Sequence, residues 1–134
     1  MIKKVCVKID KDRIYWEHAG FECQVYRHDT IGHLCGYVKI PKGHTLYGMS
    51  MPDIKYNYDI DVHGSVTYSE TYKGAWIIGF DCAHSGDKVF SATYFKECKL
   101  WTIEDTMKET NRLAEQLLVE NLVMKKLRGK VNEE

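Results

Sequence analysis

The feature that most constrains the fold of this chain is a change in hydrophobic period near Trp101. Before this point, short segments alternate apolar and polar residues, which is typical of β-strands with one buried face. After it, apolar residues recur every three or four positions, which is typical of an amphipathic helix. These helical positions are Ile103, Met107, Ala114, Leu117, Leu118 and Met124. The change of period predicts an α+β fold, in which a mainly antiparallel sheet packs against one long C-terminal helix.

Residue types at the two ends of the apolar stripe predict where this helix begins and ends. Thr102 can cap the first turn, and Glu104 and Asp105 lie near the positive end of the helix dipole. Basic residues follow near the negative end, directly before Gly129. Together these signals predict a helix over residues 103–127.

Six segments with strand character precede the helix. The segment 33–40 is almost continuously apolar and stops at Pro41, which cannot donate to a strand ladder, so we expect it to be a central strand. Residues 41–61 contain two glycines and Pro52, and they are interpreted as a long loop. The predicted strands are residues 5–9, 13–16, 21–25, 33–40, 65–69 and 75–80.

Composition and charge exclude several classes of protein. A chain of 134 residues fits a single domain, 1–134, and its 19 basic and 19 acidic residues cancel to a net charge of zero. This balance disfavours nonspecific nucleic-acid binding, which depends on excess positive charge. No apolar run approaches the roughly 18 residues that span a bilayer, so we expect no membrane partner. The five cysteines are odd in number and form no Cys-x-x-Cys pair, which favours a reduced, cytoplasmic protein.

Two clusters of polar, ligand-type side chains flank the last two predicted strands. Asp61 and His63 come before the first of these strands, and Asp81 and His84 come after the second. In a hairpin, the start of one strand lies beside the end of the other. We therefore expect the four side chains to share one partly open pocket.

Several interpretations of this cluster stay open. It can be a binding pocket in which a polar ligand is hydrogen-bonded by Asp81, His63 and His84 while Tyr68 or Trp76 stacks on it. It can hold a divalent metal that activates water against a phosphate ester. It can be a Cys82–His84 nucleophile, or a polar network that only ties the strand ends together.

Other parts of the sequence offer weaker candidates. Cys23, His33, Cys35 and His44 are zinc-type ligands, but their spacing matches no known zinc motif and favours a core role for the thiols. Several of the nine tyrosines lie between positions 37 and 72, where they could form an aromatic platform for a ligand.

Four motifs of this sequence occur together. They are Gly-His-Leu-Cys-Gly-Tyr-Val at 32–38, Pro-x-Gly-His-x-Leu-Tyr-Gly at 41–48, Asp-Val-His-Gly-x-x-Thr-Tyr-Ser at 61–69 and Gly-Phe-Asp-Cys-Ala-His-x-Gly-Asp at 79–87. Over residues 16–120 the chain resembles a family of small uncharacterised proteins encoded by bacteriophages and prophages. The resemblance singles out His33, His44, Asp61, His63, Asp81, His84 and Asp87.

The resemblance implies a phage accessory protein that counteracts host defence. We expect it to bind a small polar ligand, such as a nucleotide signal, or a host defence protein, without enzymatic activity and without a cofactor. The sequence does not decide the oligomeric state, and a homo-oligomer is one of the open alternatives. The alternative expectation is a metal-dependent hydrolase of a phosphate ester, which would require a divalent metal.

Overall fold

The computed structural model describes residues 7–10, 12–27, 33–82, 87–88, 99–100 and 102–132. A six-stranded antiparallel sheet and a long helix form the body of the fold, and two short parallel strands form a second sheet. The predicted α+β architecture is confirmed.

The described residues form eight strands and two helices. They are β1 Lys8–Asp10, β2 Arg13–His18, β3 Phe21–Arg27, β4 Leu34–Ile40, α1 Met51–Asn57, β5 Tyr68–Tyr72, β6 Ala75–Asp81, β7 Asp87–Lys88, β8 Lys99–Leu100 and α2 Ile103–Asn132. The order in the large sheet is β1-β2-β3-β4-β6-β5. As predicted, β4 lies in the interior of the sheet, between β3 and β6.

Two tight turns set the register of the outer hairpins. Ala19 and Gly20 join β2 to β3 with φ of 54° and 83°, and Lys73 and Gly74 join β5 to β6 with φ of 49° and 79°. Two successive residues with positive φ form a turn whose twist matches that of the flanking strands. In the β5–β6 hairpin, this turn places Tyr68 opposite Gly79. Strand β5 begins at Tyr68, three residues after the start of the predicted strand 65–69.

The segment predicted as a long loop contains the short helix α1. Ser50 caps it by accepting a hydrogen bond from the main-chain nitrogen of Asp53, 3.4 Å away. Pro52 lies in its first turn, where a missing N–H costs nothing. The prediction of a long loop is wrong over residues 51–57, because proline favours the first turn of a helix as well as turns and loops.

The long helix α2 begins where the sequence predicts. The Thr102 hydroxyl accepts from the Asp105 main-chain nitrogen at 3.0 Å, and the Asp105 carboxylate accepts from that of Thr102 at 3.4 Å. The helix runs on through Gly129 to Asn132, beyond the predicted end, since one glycine in a helix costs only about 1 kcal/mol. In the described part of the chain, no helix is both long and apolar enough to cross a membrane.

The buried side of α2 is more polar than its predicted stripe. Ala114 and Leu117 are buried as expected, but Leu113, Thr106 and Thr110, which the predicted stripe does not include, are buried with them, and Ile103 is 40% exposed. Each threonine hydroxyl donates to the main-chain oxygen four residues before it, at 2.8 and 2.7 Å. These bonds satisfy the hydroxyls and allow a polar side chain to face the core.

Gly36 allows α2 to approach the centre of the sheet closely. A Cβ atom at this position would overlap the hydroxyl of Thr110 and the ring of Phe80. Around this contact the core is formed by the helix-facing side chains of the strands, including Trp16, Cys23, Val25, Val38 and Ile78. The residues that alternate with these strand positions point to the other face of the large sheet, away from α2.

Candidate functional site

The face of the sheet opposite α2 carries rows of polar and aromatic side chains. Because strand residues alternate between faces, residues paired in register share a face. One row runs through Tyr15, Gln24, Tyr37, Gly79 and Tyr68, across five strands. A neighbouring row contains Arg13, Tyr26, Cys35 and Asp81.

The contact between Arg13 and Tyr72 shows that this face is concave. Arg13 lies on β2 and Tyr72 on β5, with three strands between them. In a flat sheet, β2 and β5 would lie about 19 Å apart, measured across the strands. The guanidinium Nη2 nevertheless donates to the Tyr72 hydroxyl at 3.3 Å, so two long side chains and the coiling of the sheet together bridge β2 and the edge strand β5.

The guanidinium of Arg13 lies between two aromatic rings. Its central carbon is 4.3 Å from the ring centre of Tyr26 and 5.2 Å from that of Tyr72. Nη1 also donates to the Gln24 side-chain oxygen at 3.1 Å, which holds the plane of the guanidinium. Cation–π attraction and these hydrogen bonds fix a positive charge at the surface of the sheet.

Tyr37 and Tyr68 form the neighbouring wall. Their rings meet edge to face with centres 5.5 Å apart. Between them lies Gly79, where a Cβ atom would overlap the Tyr37 ring and the main-chain oxygen of Gly36. Glycine at this position lets the Tyr37 ring lie flat across β6.

These side chains enclose a pocket of about 200 Å³. We call it the tyrosine pocket. It is lined by Arg13, Gln24, Tyr26, Tyr37, Tyr68, Tyr72 and Ile77. Gln24 and Ile77 are buried and the other members are half-buried or exposed, so the pocket has a buried floor and is open to solvent.

Burial determines the protonation of the groups on this face. Desolvation raises the pKa of the Tyr37 hydroxyl far above its usual value, and it also raises the pKa of Tyr68. Burial, opposed by a hydrogen bond with Tyr37, raises the pKa of the Cys35 thiol to about 11. At neutral pH both phenols keep their protons. The Tyr37 hydroxyl already bonds the Cys35 thiol, the Tyr68 hydroxyl can donate to a ligand, and the thiol is a poor nucleophile.

The structure places Asp61 and His63 against α2. The Asp61 carboxylate accepts from Arg112 Nη2 at 3.0 Å, and its main-chain nitrogen and oxygen bond the side-chain amide of Gln116 at 2.7 and 2.8 Å. The main-chain nitrogen of His63 donates to the Glu109 carboxylate at 2.9 Å. These contacts attach the segment before β5 to the helix.

Asp81 lies on the other face of the sheet, in the row of Cys35. Its charge contributes to the raised pKa of that thiol, which is consistent with this position. His84 lies outside the described residues, and Asp87 is described only as a main-chain partner of Lys99 in β7. The predicted convergence of Asp61, His63, Asp81 and His84 therefore stays a prediction.

The two predicted stacking residues lie on opposite faces of the sheet. Tyr68 lines the tyrosine pocket. Trp76 packs against the core, where its indole nitrogen donates to the Ser69 hydroxyl at 3.1 Å and its ring lies 5.6 Å from that of Tyr47. A ligand bound in one pocket therefore cannot stack on both Tyr68 and Trp76.

The four zinc-type residues are dispersed. Cys23 belongs to the core facing α2, whereas Cys35 lies on the opposite face. His33 is half-buried just before β4, and His44 uses both ring nitrogens for main-chain groups of Leu117 and Leu46. Among the described residues, no group of three or more histidine, cysteine, aspartate or glutamate side chains could hold a metal ion.

Sequence reasoning missed most of the tyrosine pocket. It identified Tyr68 and the wealth of tyrosines, but not Arg13, Gln24 or Tyr26. The available signal was the alternation itself, because these residues occupy the positions of β2 and β3 that point away from the predicted core.

The chain matches no known family model, no curated protein and no solved structure.

Proposed function

We propose that this chain is a binding protein for a small anionic ligand with a planar ring, such as a nucleotide, and that the ligand occupies the tyrosine pocket. The observation that carries the proposal is the guanidinium of Arg13, held between Tyr26 and Tyr72 at the edge of an aromatic cavity.

The aromatic lining favours a planar ring. Tyrosine side chains offer large, rigid surfaces for stacking at a low entropic cost, and ring stacking is tolerant of the identity of a nucleobase. Tyr68 also presents a protonated hydroxyl, and burial raises its pKa further above neutral pH, whereas the Tyr37 hydroxyl bonds the Cys35 thiol. A ring that carries hydrogen-bond acceptors fits this combination.

The charged groups favour an anion. A guanidinium has several N–H donors, and the described hydrogen bonds of Arg13 engage one from each terminal nitrogen. The Lys73 ammonium lies 5.4 Å from the Tyr72 ring centre and adds a second positive charge at the same edge of the pocket. Phosphate and carboxylate are the anions that a planar guanidinium recognises best.

The size of the pocket favours a small molecule over a host protein. A cavity of about 200 Å³ is smaller than the roughly 300–1,000 Å³ of drug-sized ligand sites, so it accommodates the ring system alone, and the attached sugar and phosphate lie at the open edge. A protein partner would instead require a broader exposed surface.

The four sequence motifs suggest the setting of this activity. We propose that a phage-encoded accessory protein uses the pocket in the host cytoplasm to sequester a nucleotide signal of host defence. This setting depends on the family resemblance alone, and the binding chemistry of the pocket does not depend on it.

Calorimetry with the four common nucleoside monophosphates and with cyclic di-AMP, in the presence of a chelator, tests the proposal. We expect saturable binding of at least one probe. Arg13→Met keeps the aliphatic stem but removes the charge, and it should weaken binding at least tenfold, because a hydrogen bond to a charged group contributes about 1.5–3 kcal/mol. Tyr68→Leu should weaken binding as well.

Two matched variants control for nonspecific effects. Lys39→Met removes a positive charge from the same face outside the pocket, and Tyr56→Leu removes a tyrosine that is 82% exposed on α1. Both should bind as the unmodified protein does. Absence of binding for all probes, or equal binding by Arg13→Met, would refute the proposal, and metal-dependent release of phosphate would favour the hydrolase instead.

A further inference from the structure

Gln24 lies at the floor of the tyrosine pocket with only half of its carboxamide engaged. Its side chain lines the pocket, and the residue is 7% exposed. The side-chain oxygen accepts from Arg13 Nη1 at 3.1 Å, and within the part of the chain that the structure describes no hydrogen bond engages Nε2. Buried polar groups are nearly always hydrogen-bonded, so a donor left open on a buried pocket residue points to a ligand.

Arg13 determines which atom of the carboxamide is left for that ligand. A guanidinium donates through its nitrogens and accepts through none of them, so the atom that it holds is the oxygen of Gln24. Turning the amide by 180° would place one donor against another at this contact. The group that stays available is therefore the Nε2 donor and not the oxygen.

The other side chains of the pocket add no fixed acceptor. The hydroxyl of Tyr72 accepts from Arg13, and that of Tyr37 bonds a neighbouring thiol. Tyrosine hydroxyls can donate or accept, and no carboxylate occurs among the described residues that line the pocket. A ring carbonyl would meet the donor of Gln24, whereas a ring amino group in the same place would set its own N–H against it.

We propose that Gln24 makes the tyrosine pocket selective for keto bases, which carry a ring carbonyl where adenine and cytosine carry an amino group. Its Nε2 donates to O6 of guanine or hypoxanthine, or to O4 of uracil. This inference rests on the proposed function, because it names the class of ring that the pocket binds. Arg13 then has two roles, since it attracts the anion and also orients Gln24.

Two pairs of nucleotides test the selectivity by calorimetry. IMP and AMP share their size and phosphate but carry a carbonyl or an amino group at position 6, and UMP and CMP differ in the same way at position 4. We expect the keto member to bind at least tenfold more tightly, because its competitor exchanges a hydrogen bond for a contact between two donors. Effects of pocket volume and of charge are equal within a pair and cancel in the ratio.

Substitutions of Gln24 test whether this residue causes the preference. Gln24→Glu keeps an oxygen for Arg13 and replaces the Nε2 donor by an acceptor, so the preference should reverse toward AMP and CMP. Gln24→Met has a similar shape without polar atoms and should abolish the preference. Asn57→Asp is the matched control, because it makes the same change from amide to carboxylate at an exposed position of α1, and it should leave both affinities unchanged.

The outcomes separate this inference from the proposed function. Equal or reversed affinities in a pair that binds, or a preference that persists in a Gln24 variant, would overturn the selectivity and leave the binding function standing. Absence of binding by all four nucleotides would overturn both. Circular dichroism checks the fold of each variant, and Gln24→Met decides the question if the buried carboxylate of Gln24→Glu prevents folding.

Discussion

His44 donates its Nε2 proton to the main-chain oxygen of Leu117, 2.8 Å away and 73 positions along the chain. The tautomer follows from the other ring nitrogen, because Nδ1 accepts a hydrogen bond from the main-chain nitrogen of Leu46 at 3.0 Å. The neutral imidazole thus joins the segment after β4 to the middle of α2. Burial lowers the pKa of His44 below its usual value of 6.5, because the charged form would lose solvation.

The burial of His44 predicts acid destabilisation. Below pH 6.5 the unfolded chain binds a proton at His44 that the folded chain excludes, so the free energy of unfolding should fall as pH decreases. One such proton gives a slope of up to about 1.4 kcal/mol per pH unit. Urea unfolding between pH 7.5 and 5.0 measures it.

His44→Gln should lower stability at neutral pH and remove this part of the pH dependence. His18→Gln is the control, because His18 is partly exposed and pairs with Glu115 at the surface. An unchanged acid slope in His44→Gln would contradict the assignment of this titration to His44.

Gly36→Ala tests the close contact between α2 and the sheet. The added methyl group would overlap the Thr110 hydroxyl and the Phe80 ring, and we expect a loss of about 1–3 kcal/mol of unfolding free energy from overpacking. Gly43→Ala is the control, because no atom lies within 4 Å of its added Cβ. Equal stability of the two variants in denaturant unfolding would show that the helix is farther from the sheet than described.

Substitutions at Asp61 and Gln116 separate a structural from a ligand-binding role. Gln116→Met removes the two hydrogen bonds between Gln116 and the main chain of Asp61, although Arg112 still donates to the Asp61 main-chain oxygen. Amide exchange over residues 60–63 should therefore accelerate, and stability should fall by about 1 kcal/mol. Asp61→Asn keeps these bonds, and its side chain is 85% exposed, so we expect little change in either measurement. A larger effect of Asp61→Asn would indicate that its carboxylate has a role other than attaching this segment to α2.

The thiols of Cys23 and Cys35 should react slowly in the folded protein. Burial raises their pKa to about 12 and about 11, so the thiolate fraction at neutral pH is small. Alkylation with iodoacetamide, followed by peptide mapping, should show rates that keep rising above pH 9 and that increase sharply in urea. Rapid modification of Cys35 at pH 7 in the folded state would contradict its burial.

Local patterns predict most of the architecture of this chain. Alternation predicts β2 and β3, nearly continuous apolar runs predict β4 and β6, and the Thr102 cap predicts the start of α2, because these signals depend on residues close together in sequence. The extension of α2 past Gly129 was missed because propensity is a weak signal in a long helix. The buried Thr106 and Thr110 were missed because hydrogen bonds within the helix satisfy side chains that a hydrophobic pattern counts as polar.

The tyrosine pocket could not be predicted in the same way. Its central contact joins Arg13 to Tyr72, which are 59 positions apart and lie on strands separated by three others. This contact depends on how strongly the sheet coils, and no local pattern of residues encodes that. Sequence reasoning therefore favoured clusters of adjacent aspartates and histidines, for which proximity in the chain is visible.

The contact between Trp16 and α2 has a consequence for synthesis of the chain on the ribosome. The indole nitrogen donates to the Asn111 side chain at 2.7 Å, across 95 positions. Strands β2, β3 and β4 therefore leave the ribosome long before the helix that covers their apolar side. During that interval the nascent chain presents Trp16, Val25 and Val38 to water and to chaperones, so a message truncated before α2 yields an uncovered sheet that is prone to aggregate.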